Sequence, residues 1–259
     1  MECKICSVNS EIFFSELILN KYNVRYYKCP KCNFIQTEKP FWLDEAYSNS
    51  MTKYDIGILW RNNLMANRLI VFLRLFFPKF KSGLDYGGGY GIFVRIMRDN
   101  GFNFFLLDKY APNLFANKFS VEDTKLVKFD IVTSFEVFEH LENPILEIEK
   151  MLSYSRNICF STVLIPEDKI VNSRKWWYFL FDTGQHISLY SKKSLTLLAR
   201  NYGLNFYTND VDFHIITERK FSNFVVKIFT NRFISSFLAP LLRKRTLVPS
   251  DLNILRESL

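Results

Sequence analysis

Short apolar runs alternate with amphipathic segments of helical length from residue 82 onward. Four of the runs have the length and composition of buried strands: 83–86, 104–108, 129–134 and 158–164. Three segments have helical spacing: 92–100, 144–154 and 194–202. Strands that alternate with helices favour a mostly parallel sheet with helices on both faces. The pattern therefore predicts an α/β fold.

The pattern changes on both sides of this region. Before it, a helical stretch over residues 59–76 is ended by a proline. After it, the alternating runs 204–208 and 211–217 are joined by Asn209 and Asp210. This junction predicts a tight hairpin, which would place an antiparallel strand at the end of the sheet.

The N-terminal segment contains two CxxC pairs, formed by Cys3, Cys6, Cys29 and Cys32. This spacing is typical of a tetrahedral zinc site, and the runs 11–19 and 24–28 between the pairs are predicted strands of a zinc ribbon. Four thiolates fill the shell of the metal, so the predicted Zn²⁺ is structural. Two disulfides are the alternative, which a reducing compartment disfavours. Cys159 lies in an apolar run and is expected in the core.

Glycines are concentrated directly after the first strand of the alternating region, in a GxGxG pattern at Gly87, Gly89 and Gly91. Ligands of an open parallel sheet bind beyond the carboxyl ends of the strands, where a glycine turn lets them approach the backbone. A turn made only for close strand–helix packing is the alternative. Asp108 ends the next strand, where a carboxylate can accept hydrogen bonds from both hydroxyls of a ribose.

These features together resemble the class I methyltransferases that use S-adenosylmethionine. The stretch 85–91 matches the acidic-x-Gly-x-Gly-x-Gly motif of that family, and residues 129–144 match its Phe-Asp-x-Val strand and Glu-x-x-Glu-His turn. The resemblance implies a Rossmann-like sheet of seven strands whose last strand is antiparallel. It implies that these residues contact the cofactor: Asp85, Tyr86, Gly87, Gly89, Gly91, Asp108 and Phe135. Gly88 occupies a position where the family often has a small side chain, which implies tolerance of one.

The turn after the predicted strand 129–134 carries two carboxylates and an imidazole. It resembles a turn of the ubiquinone-pathway O-methyltransferases that is associated with a divalent metal, and the matching residues are Glu136, Glu139 and His140. Positions i, i+3 and i+4 share one face of a helix, so they could converge on Mg²⁺ or Zn²⁺. In many methyltransferases the same stretch only shapes the cofactor pocket, and both interpretations stay open.

An aromatic insertion over about residues 165–192 is expected to cover the acceptor. Its Gly-Gln-His-Ile stretch resembles bacterial methyltransferases that carry an N-terminal zinc ribbon and act in surface-polysaccharide or sugar biosynthesis. The resemblance implies a small-molecule or glycan acceptor and a catalytic base, either His186 or His140. The predicted substrate contacts are Trp177, Tyr178 and Tyr190. A core aromatic cluster with a hydrogen-bonded histidine is the alternative.

The expected reaction is O-methylation of a sugar or sugar-linked group in capsule or surface-polysaccharide biosynthesis. C-methylation is disfavoured because the larger sugar C-methyltransferases carry an additional C-terminal domain, whereas only about forty residues follow the hairpin. One alternative is O-methylation of a quinone-like or lipid precursor. Another is a nucleic-acid-binding or assembly factor with a zinc ribbon, but a concentrated basic stripe is missing, which argues against a nucleic acid partner.

The formal net charge is +8, and most basic residues are scattered. Arg243, Lys244 and Arg245 form a cluster in an apolar tail, which is compatible with peripheral contact with a membrane surface or a polyanion. We see no export signal and no apolar run of about 20 residues, so we expect a cytoplasmic protein. The oligomeric state has no sequence signal. The expected divisions are 1–40 (zinc ribbon), 41–80 (linker and cap helix), 81–220 (methyltransferase domain) and 221–259 (tail).

Overall fold

The computed structural model describes residues 1–47, 56–166 and 176–257. Its strands are β1 (Glu11–Ile18), β2 (Tyr22–Lys28), β3 (Ile35–Thr37), β4 (Gly83–Tyr86), β5 (Phe104–Leu107), β6 (Ile131–Ser134), β7 (Asn157–Phe160), β8 (Ser188–Leu189), β9 (Asn205–Thr208) and β10 (His214–Thr217). Its helices are α1 (Leu43–Ala46), α2 (Ile58–Phe76), α3 (Ile92–Asp99), α4 (Pro144–Tyr154), α5 (Lys192–Asn201), α6 (Asn223–Phe229), α7 (Arg232–Leu242) and α8 (Val248–Glu257).

Six strands form the main sheet, in the order β5-β4-β6-β7-β10-β9. The strands β4 to β7 are parallel, and β10 is antiparallel to both of its neighbours. The chain passes from β4 to β5 on one side and then crosses to β6 on the other side. The carboxyl ends of β4 and β6 therefore flank a switch point of the topology, where open α/β sheets bind ligands. The predicted α/β, Rossmann-like fold is confirmed.

The main sheet has six described strands rather than the predicted seven. Beside β5, where a further strand would pair, the structure has only a parallel bridge between Leu106 and Ser120. The side chain of Asn113 explains the missing pairing. Its amide donates to the Ala116 carbonyl at 2.8 Å and to Ser120 Oγ at 3.0 Å, and its oxygen accepts from Ala116 N at 2.9 Å. Such local hydrogen bonds compete with a strand ladder.

The hairpin before β10 is longer than predicted. Asn209 Oδ1 accepts hydrogen bonds from the backbone nitrogens of Val211, Asp212 and Phe213, at 2.9, 3.0 and 3.0 Å. This turn delays the start of the strand to His214. The predicted position of the strand is also wrong, because β10 lies between β7 and β9 and leaves β9 at the edge of the sheet.

A second sheet has the order β1-β2-β3-β8, so its fourth strand comes from the aromatic segment that follows the main parallel strands. Ile35 pairs with Leu189, and Gln36 pairs with Ser188. Trp42 is buried against this sheet, and its Nε1 donates to the Gly184 carbonyl at 2.8 Å. The N-terminal residues and the aromatic segment therefore share one sheet and one core.

The C-terminal segment returns to the main sheet. Lys244 N donates to the Asn100 carbonyl at 3.0 Å, and Leu247 N donates to the Arg98 carbonyl at 3.1 Å. In α8, the Asp251 carboxylate accepts from Arg98 Nη2 at 2.7 Å, and both side chains are buried. This ion pair fastens α8 to the end of α3.

None of the described helices is by itself long and apolar enough to cross a membrane. Taken together, α6 and α7 have sufficient length and apolar composition, but they meet at an angle of 73°.

Candidate active site

The glycine turn lies between the carboxyl end of β4 and α3. Gly87, Gly89 and Gly91 have φ angles of 72°, 56° and 85°, in the left-handed region that favours glycine. A Cβ on Gly89 would meet no atom within 4 Å, so this residue faces open space. A Cβ on Gly88 would overlap the Asp85 carboxylate and lie 2.6 Å from Leu106 Cδ1. The expectation that Gly88 tolerates a side chain is therefore wrong.

Asp108 lies beside this turn, at the carboxyl end of β5. Its Oδ2 accepts a hydrogen bond from Gly89 N at 2.8 Å. Its Oδ1 accepts from Tyr110 N at 2.7 Å and from Ala111 N at 2.8 Å. The carboxylate is half-buried, and backbone groups hold it on the open side of the glycine turn, as a ribose-binding acid requires.

The other predicted cofactor residues surround the turn from within the fold. Asp85 is buried beneath it and accepts from Thr133 Oγ1 at 2.7 Å, and burial raises the pKa of Asp85 to about 7. The Tyr86 hydroxyl donates to the Glu147 carboxylate in α4. Phe135 packs edge-on against Phe93, with 5.0 Å between ring centroids. Asp85 and Tyr86 thus occupy positions that support the turn.

The turn after β6 carries Glu136, Glu139 and His140, and the glycine turn contacts it. A Cβ on Gly87 would lie 2.8 Å from Val137 Cγ2, so the two turns are packed together. Glu136 has a φ of 56°, and the helical part of this turn is a 3₁₀ helix that covers only Phe138–His140. The Glu136 carboxylate accepts from Ser161 Oγ at 2.7 Å. Residues 136–140 are therefore not one helical turn, and the predicted shared face of Glu136, Glu139 and His140 does not form.

The structure brings a different set of three residues together: Glu139, His140 and His186, called the polar group below. One potential ligand atom of each lies within 4.8 Å of the others, and the two imidazole centroids are 4.9 Å apart. Both carboxylate oxygens of Glu139 are buried and have no hydrogen-bond partner among the described residues. Burial raises the pKa of Glu139 to about 7, although the hydroxyls of Tyr178 and Thr162 lie near enough to lower it.

Hydrogen bonds to carbonyl groups orient both imidazoles. His186 Nδ1 lies 2.6 Å from the Tyr178 carbonyl, and His140 Nδ1 lies 3.1 Å from the Gln185 carbonyl. Because a carbonyl only accepts, we assign the proton of each neutral ring to Nδ1, which leaves Nε2 as the basic nitrogen. Burial, and then the nearby His140, lowers the pKa of His186 to about 3, so this ring is neutral near pH 7.

A family of proteins described as "Methyltransferase domain" matches residues 60–209, which is more than half of the chain. The chain belongs to this methyltransferase family. The matched region is thus a methyltransferase domain. The match includes the glycine turn, Asp108 and the three polar residues.

Several solved structures are similar to this methyltransferase. TnmH is 14% identical with a TM-score of 0.49, and the match covers 70% of this chain and 62% of TnmH. An O-methyltransferase family protein from Burkholderia thailandensis is 10% identical with a TM-score of 0.49, over 71% of this chain and 65% of that one. CalO1, a methyltransferase in calicheamicin biosynthesis, is 15% identical with a TM-score of 0.44, over 68% and 60%.

The chain thus spans only about three fifths of the length of TnmH and CalO1. No curated protein sequence is detectably similar to it. The acceptors of these structural relatives are properties of those proteins and carry no information about this one.

The described part of the aromatic segment, residues 176–192, packs mainly inward. Residues 167–175 of the predicted insertion lie outside the described residues. Tyr178 is buried beside His186, with 4.5 Å between the ring centroids. Tyr190 is also buried, and its hydroxyl donates to the Phe138 carbonyl at 3.1 Å. Trp177 is the exposed member of the three predicted substrate contacts. The segment therefore positions His186 through packing and offers Trp177 to the solvent.

The four N-terminal cysteines converge in the structure. The Sγ–Sγ distances are 3.6 Å from Cys3 to Cys32, 3.5 Å from Cys6 to Cys29 and 3.7 Å from Cys6 to Cys32. All four sulfurs lie within 4.8 Å of one another, and none forms a disulfide. A tetrahedron with Zn–S bonds of about 2.3 Å has S–S edges of about 3.8 Å. The donor set thus fits a zinc ion.

Two contacts of the turn after β6 could not be predicted from any local sequence pattern. The Tyr47 hydroxyl lies 2.9 Å from His140 Nδ1, and Arg61 Nε lies 3.8 Å from Glu136 Oε2. Both come from elements that precede the main sheet, so only the tertiary fold brings them to the turn. His140 and His186 were each predictable as candidates, but their proximity depends on a tertiary hydrogen bond, from Ile187 N to the Glu139 carbonyl at 2.9 Å.

Proposed function

We propose that this methyltransferase transfers a methyl group to an oxygen of a sugar or sugar-linked group in bacterial capsule or surface-polysaccharide biosynthesis. The observation that carries this proposal is the contact between the two turns, through Gly87 and Val137. It puts a polar group with two imidazoles, of which His186 is neutral near pH 7, next to the cofactor turn. The sugar acceptor rests on the resemblance of the Gly184–Ile187 stretch, combined with the cysteine pairs, to zinc-ribbon methyltransferases of sugar biosynthesis.

The reaction would be an in-line attack of the acceptor oxygen on the sulfonium methyl. The C–O bond forms as the S–CH₃ bond breaks, and the positively charged sulfur takes the electron pair. The protein chiefly needs to align the reactants and exclude water. A sugar hydroxyl must lose its proton during the attack, and Nε2 of His140 or of His186 would take it, although the pKa of about 3 makes the His186 imidazole a weak base. The Tyr178 and Gln185 carbonyls would hold the rings in the required tautomer.

We also propose which residues would hold a divalent cation, if this methyltransferase uses one. Glu139, His140 and His186 fit better than the predicted set, because Glu136 instead bonds Ser161. Two imidazoles and one carboxylate suit Zn²⁺ or a similar transition metal better than Mg²⁺, which prefers oxygen ligands. When bound there, a cation would acidify an acceptor hydroxyl. The buried, unpartnered Glu139 carboxylate supports this proposal.

We propose that the four cysteines hold a structural zinc ion. The closed shell of four thiolates leaves no position for water or substrate, so the ion would stabilise the fold and take no part in the chemistry. The Ser191 hydroxyl donates to the Cys32 carbonyl at 2.6 Å and links this site to the start of α5.

The experiment that tests the acceptor is a methyl-transfer screen. The purified chain would be given S-adenosylmethionine with a labelled methyl group and, separately, nucleotide sugars, polysaccharide fragments and quinone precursors. We expect label on an oxygen of a sugar-containing acceptor. Transfer to a quinone precursor alone would replace the sugar acceptor with the lipid-precursor alternative, and transfer to carbon would contradict O-methylation.

The role of the polar group is tested with the same assay. Removal of divalent metal by a chelator and the variants His186→Ala, His140→Ala and Glu139→Gln distinguish a base from a cation site. Loss of turnover on chelation that Mn²⁺ restores supports the cation, because the proposed four-cysteine site would require Zn²⁺ instead. Turnover that resists chelation but fails in a histidine variant supports the base. Full turnover in both histidine variants contradicts both roles.

A further inference from the structure

The positive charge of this methyltransferase is concentrated in one part of the chain. Residues 219–250 contain seven basic residues and neither Asp nor Glu, in a protein whose net charge is +8. The basic residues are Arg219, Lys220, Lys227, Arg232, Arg243, Lys244 and Arg245. All except the half-buried Lys244 are exposed. This segment contains α6 and α7, and within it Lys227 forms an ion pair with Asp210, which lies outside the segment.

The helix α7 is apolar on both of its faces. Its inner face packs with α2, and Ser235 and Ala239 are buried. Its outer face carries Phe233, Phe237 and Leu241, which are 69%, 73% and 72% exposed. These positions are spaced i, i+4 and i+8, so their side chains form one stripe along the helix. A surface helix normally places polar residues on this face.

Further exposed groups extend the stripe. Phe224 in α6 is 69% exposed, and Arg232 lies with its guanidinium carbon 4.5 Å from the centre of the Phe233 ring. Arg243 and Arg245 follow the other end of α7. Large apolar side chains flanked by exposed arginines are the features by which a helix binds in the plane of an anionic bilayer.

We propose that the outer face of α6 and α7 docks this methyltransferase onto an anionic lipid surface. The helices lie on the membrane and do not cross it, because they are bent by 73° and the inner face of α7 is packed against α2. The apolar side chains enter the headgroup region, and the arginines contact lipid phosphates. This inference does not depend on the identity of the methyl acceptor.

The charge distribution favours lipid over the other occupants of such a face. A second copy of the chain docked on the same face would bring Arg232, Arg243 and Arg245 of the two copies together, which is repulsive. A nucleic acid would satisfy the arginines but would leave the aliphatic Leu241 without an apolar partner. An anionic bilayer satisfies both the charge and the apolar stripe.

The test is co-flotation of the full chain with vesicles of phosphatidylcholine, with and without phosphatidylglycerol. We expect binding to the anionic vesicles that weakens as salt rises, because exposed charges are screened. The triple variant Phe233→Ser, Phe237→Ser, Leu241→Ser should bind the anionic vesicles about 100-fold more weakly, given the apolar area that it removes from the bilayer contact. Its cofactor affinity should match that of the unmodified chain, since the three side chains are exposed.

The matched control removes three exposed apolar side chains elsewhere, with Ile12→Ser, Leu17→Ser and Val127→Ser. This variant should bind anionic vesicles as tightly as the unmodified chain. Equal binding by both triple variants, or equal binding to neutral and anionic vesicles, would overturn the proposal. Salt-sensitive RNA binding without vesicle binding would also overturn it, as would self-association through the stripe in the absence of lipid.

Discussion

At the residue scale, the glycine turn also depends on Gly88, the position at which a side chain was expected to be tolerated. Gly88→Ala should lower the free energy of unfolding by about 1–3 kcal/mol, because the new Cβ has to displace Asp85 or Leu106. Cofactor affinity should fall with it, since Asp85 lies under the turn. Urea denaturation and calorimetry would measure the two effects.

Gly203→Ala is the control for this prediction. Gly203 also has a positive φ, of 68°, but a Cβ there would meet no atom within 4 Å. The control variant should show a backbone cost of about 1–2 kcal/mol and unchanged cofactor affinity. If both variants behaved alike in both measurements, the steric role of Gly88 would be refuted.

Asp108 allows a prediction about the methyl donor. Asp108→Ala removes the predicted ribose ligand and leaves Gly89 N without its acceptor. We expect cofactor affinity to fall about 10- to 100-fold, the usual effect of losing hydrogen bonds to a charged group. Asp108→Asn retains an acceptor oxygen and should lose less. Calorimetric titration with S-adenosylmethionine checks both variants, and unaltered affinity in the alanine variant would remove the role assigned to Asp108.

His214 makes the stability depend on pH. Its nitrogens lie 2.8 Å from Thr208 Oγ1 and 2.8 Å from the Thr162 carbonyl, and burial lowers the pKa of His214 from 6.5 to about 4. Between these values the unfolded chain binds a proton that the folded chain does not. The contribution of His214 is therefore complete above about pH 6.5 and falls by about 1.4 kcal/mol per pH unit down to about pH 4.

Urea denaturation across this pH range would measure the dependence. In the variant His214→Gln, the free energy of unfolding should fall less steeply with decreasing pH than in the unmodified chain. Equal slopes for the two proteins would show that His214 is protonated in the folded state, contrary to the burial seen in the structure.

At the scale of elements, regular segments were predictable and site segments were not. Residues 144–154 form α4 with the predicted bounds, because a proline at the first helical position and an apolar face act locally. The strand predicted over 158–164 ends at Phe160. Instead, Ser161 hydrogen-bonds the Glu136 carboxylate, and the Thr162 carbonyl lies 2.8 Å from His214 Nε2. Both partners are distant in sequence.

The candidate site shows the same limit. Regular spacing made the cysteine pairs and the glycine turn predictable from the sequence. The shared face of residues 136–140 was predicted from helical geometry, and it failed because Glu136 adopts a φ of 56°. That strained residue is fixed by Ser161, which directly follows β7, in a tertiary contact that no local pattern encodes.

The strand β8 makes the second sheet a link between the cysteines and His186. Cys29→Ser should abolish binding of the proposed zinc ion, loosen β3, and release β8 and the segment that carries His186. Hydrogen exchange should then increase over residues 178–190 as well as over 22–37, and turnover should fall. Ser153→Ala, a change of an exposed residue in α4 that no described bond links to the second sheet, is the control. Loss of metal with no change in exchange over 178–190 would contradict the link.

At the scale of the whole molecule, the C-terminal segment is held by a buried ion pair. Asp251→Ala leaves the buried Arg98 guanidinium without its charged partner, which should cost about 3 kcal/mol of unfolding free energy. Glu218→Ala removes the exposed partner of Arg156 and should cost less than about 1 kcal/mol. Urea denaturation measures the loss of unfolding free energy in each variant. Equal losses would mean that the buried ion pair stabilises the fold no more than the exposed one.

The pairing of β3 with β8 also has a consequence for biosynthesis. The edge of β3 emerges from the ribosome long before Ser188 and Leu189 have been translated. Until then the nascent N-terminal sheet has an open edge, and Trp42 lacks the Gly184 carbonyl that binds its indole nitrogen. The N-terminal segment therefore reaches its final structure only after most of the main sheet has been synthesised, so its folding is completed late although its synthesis comes first.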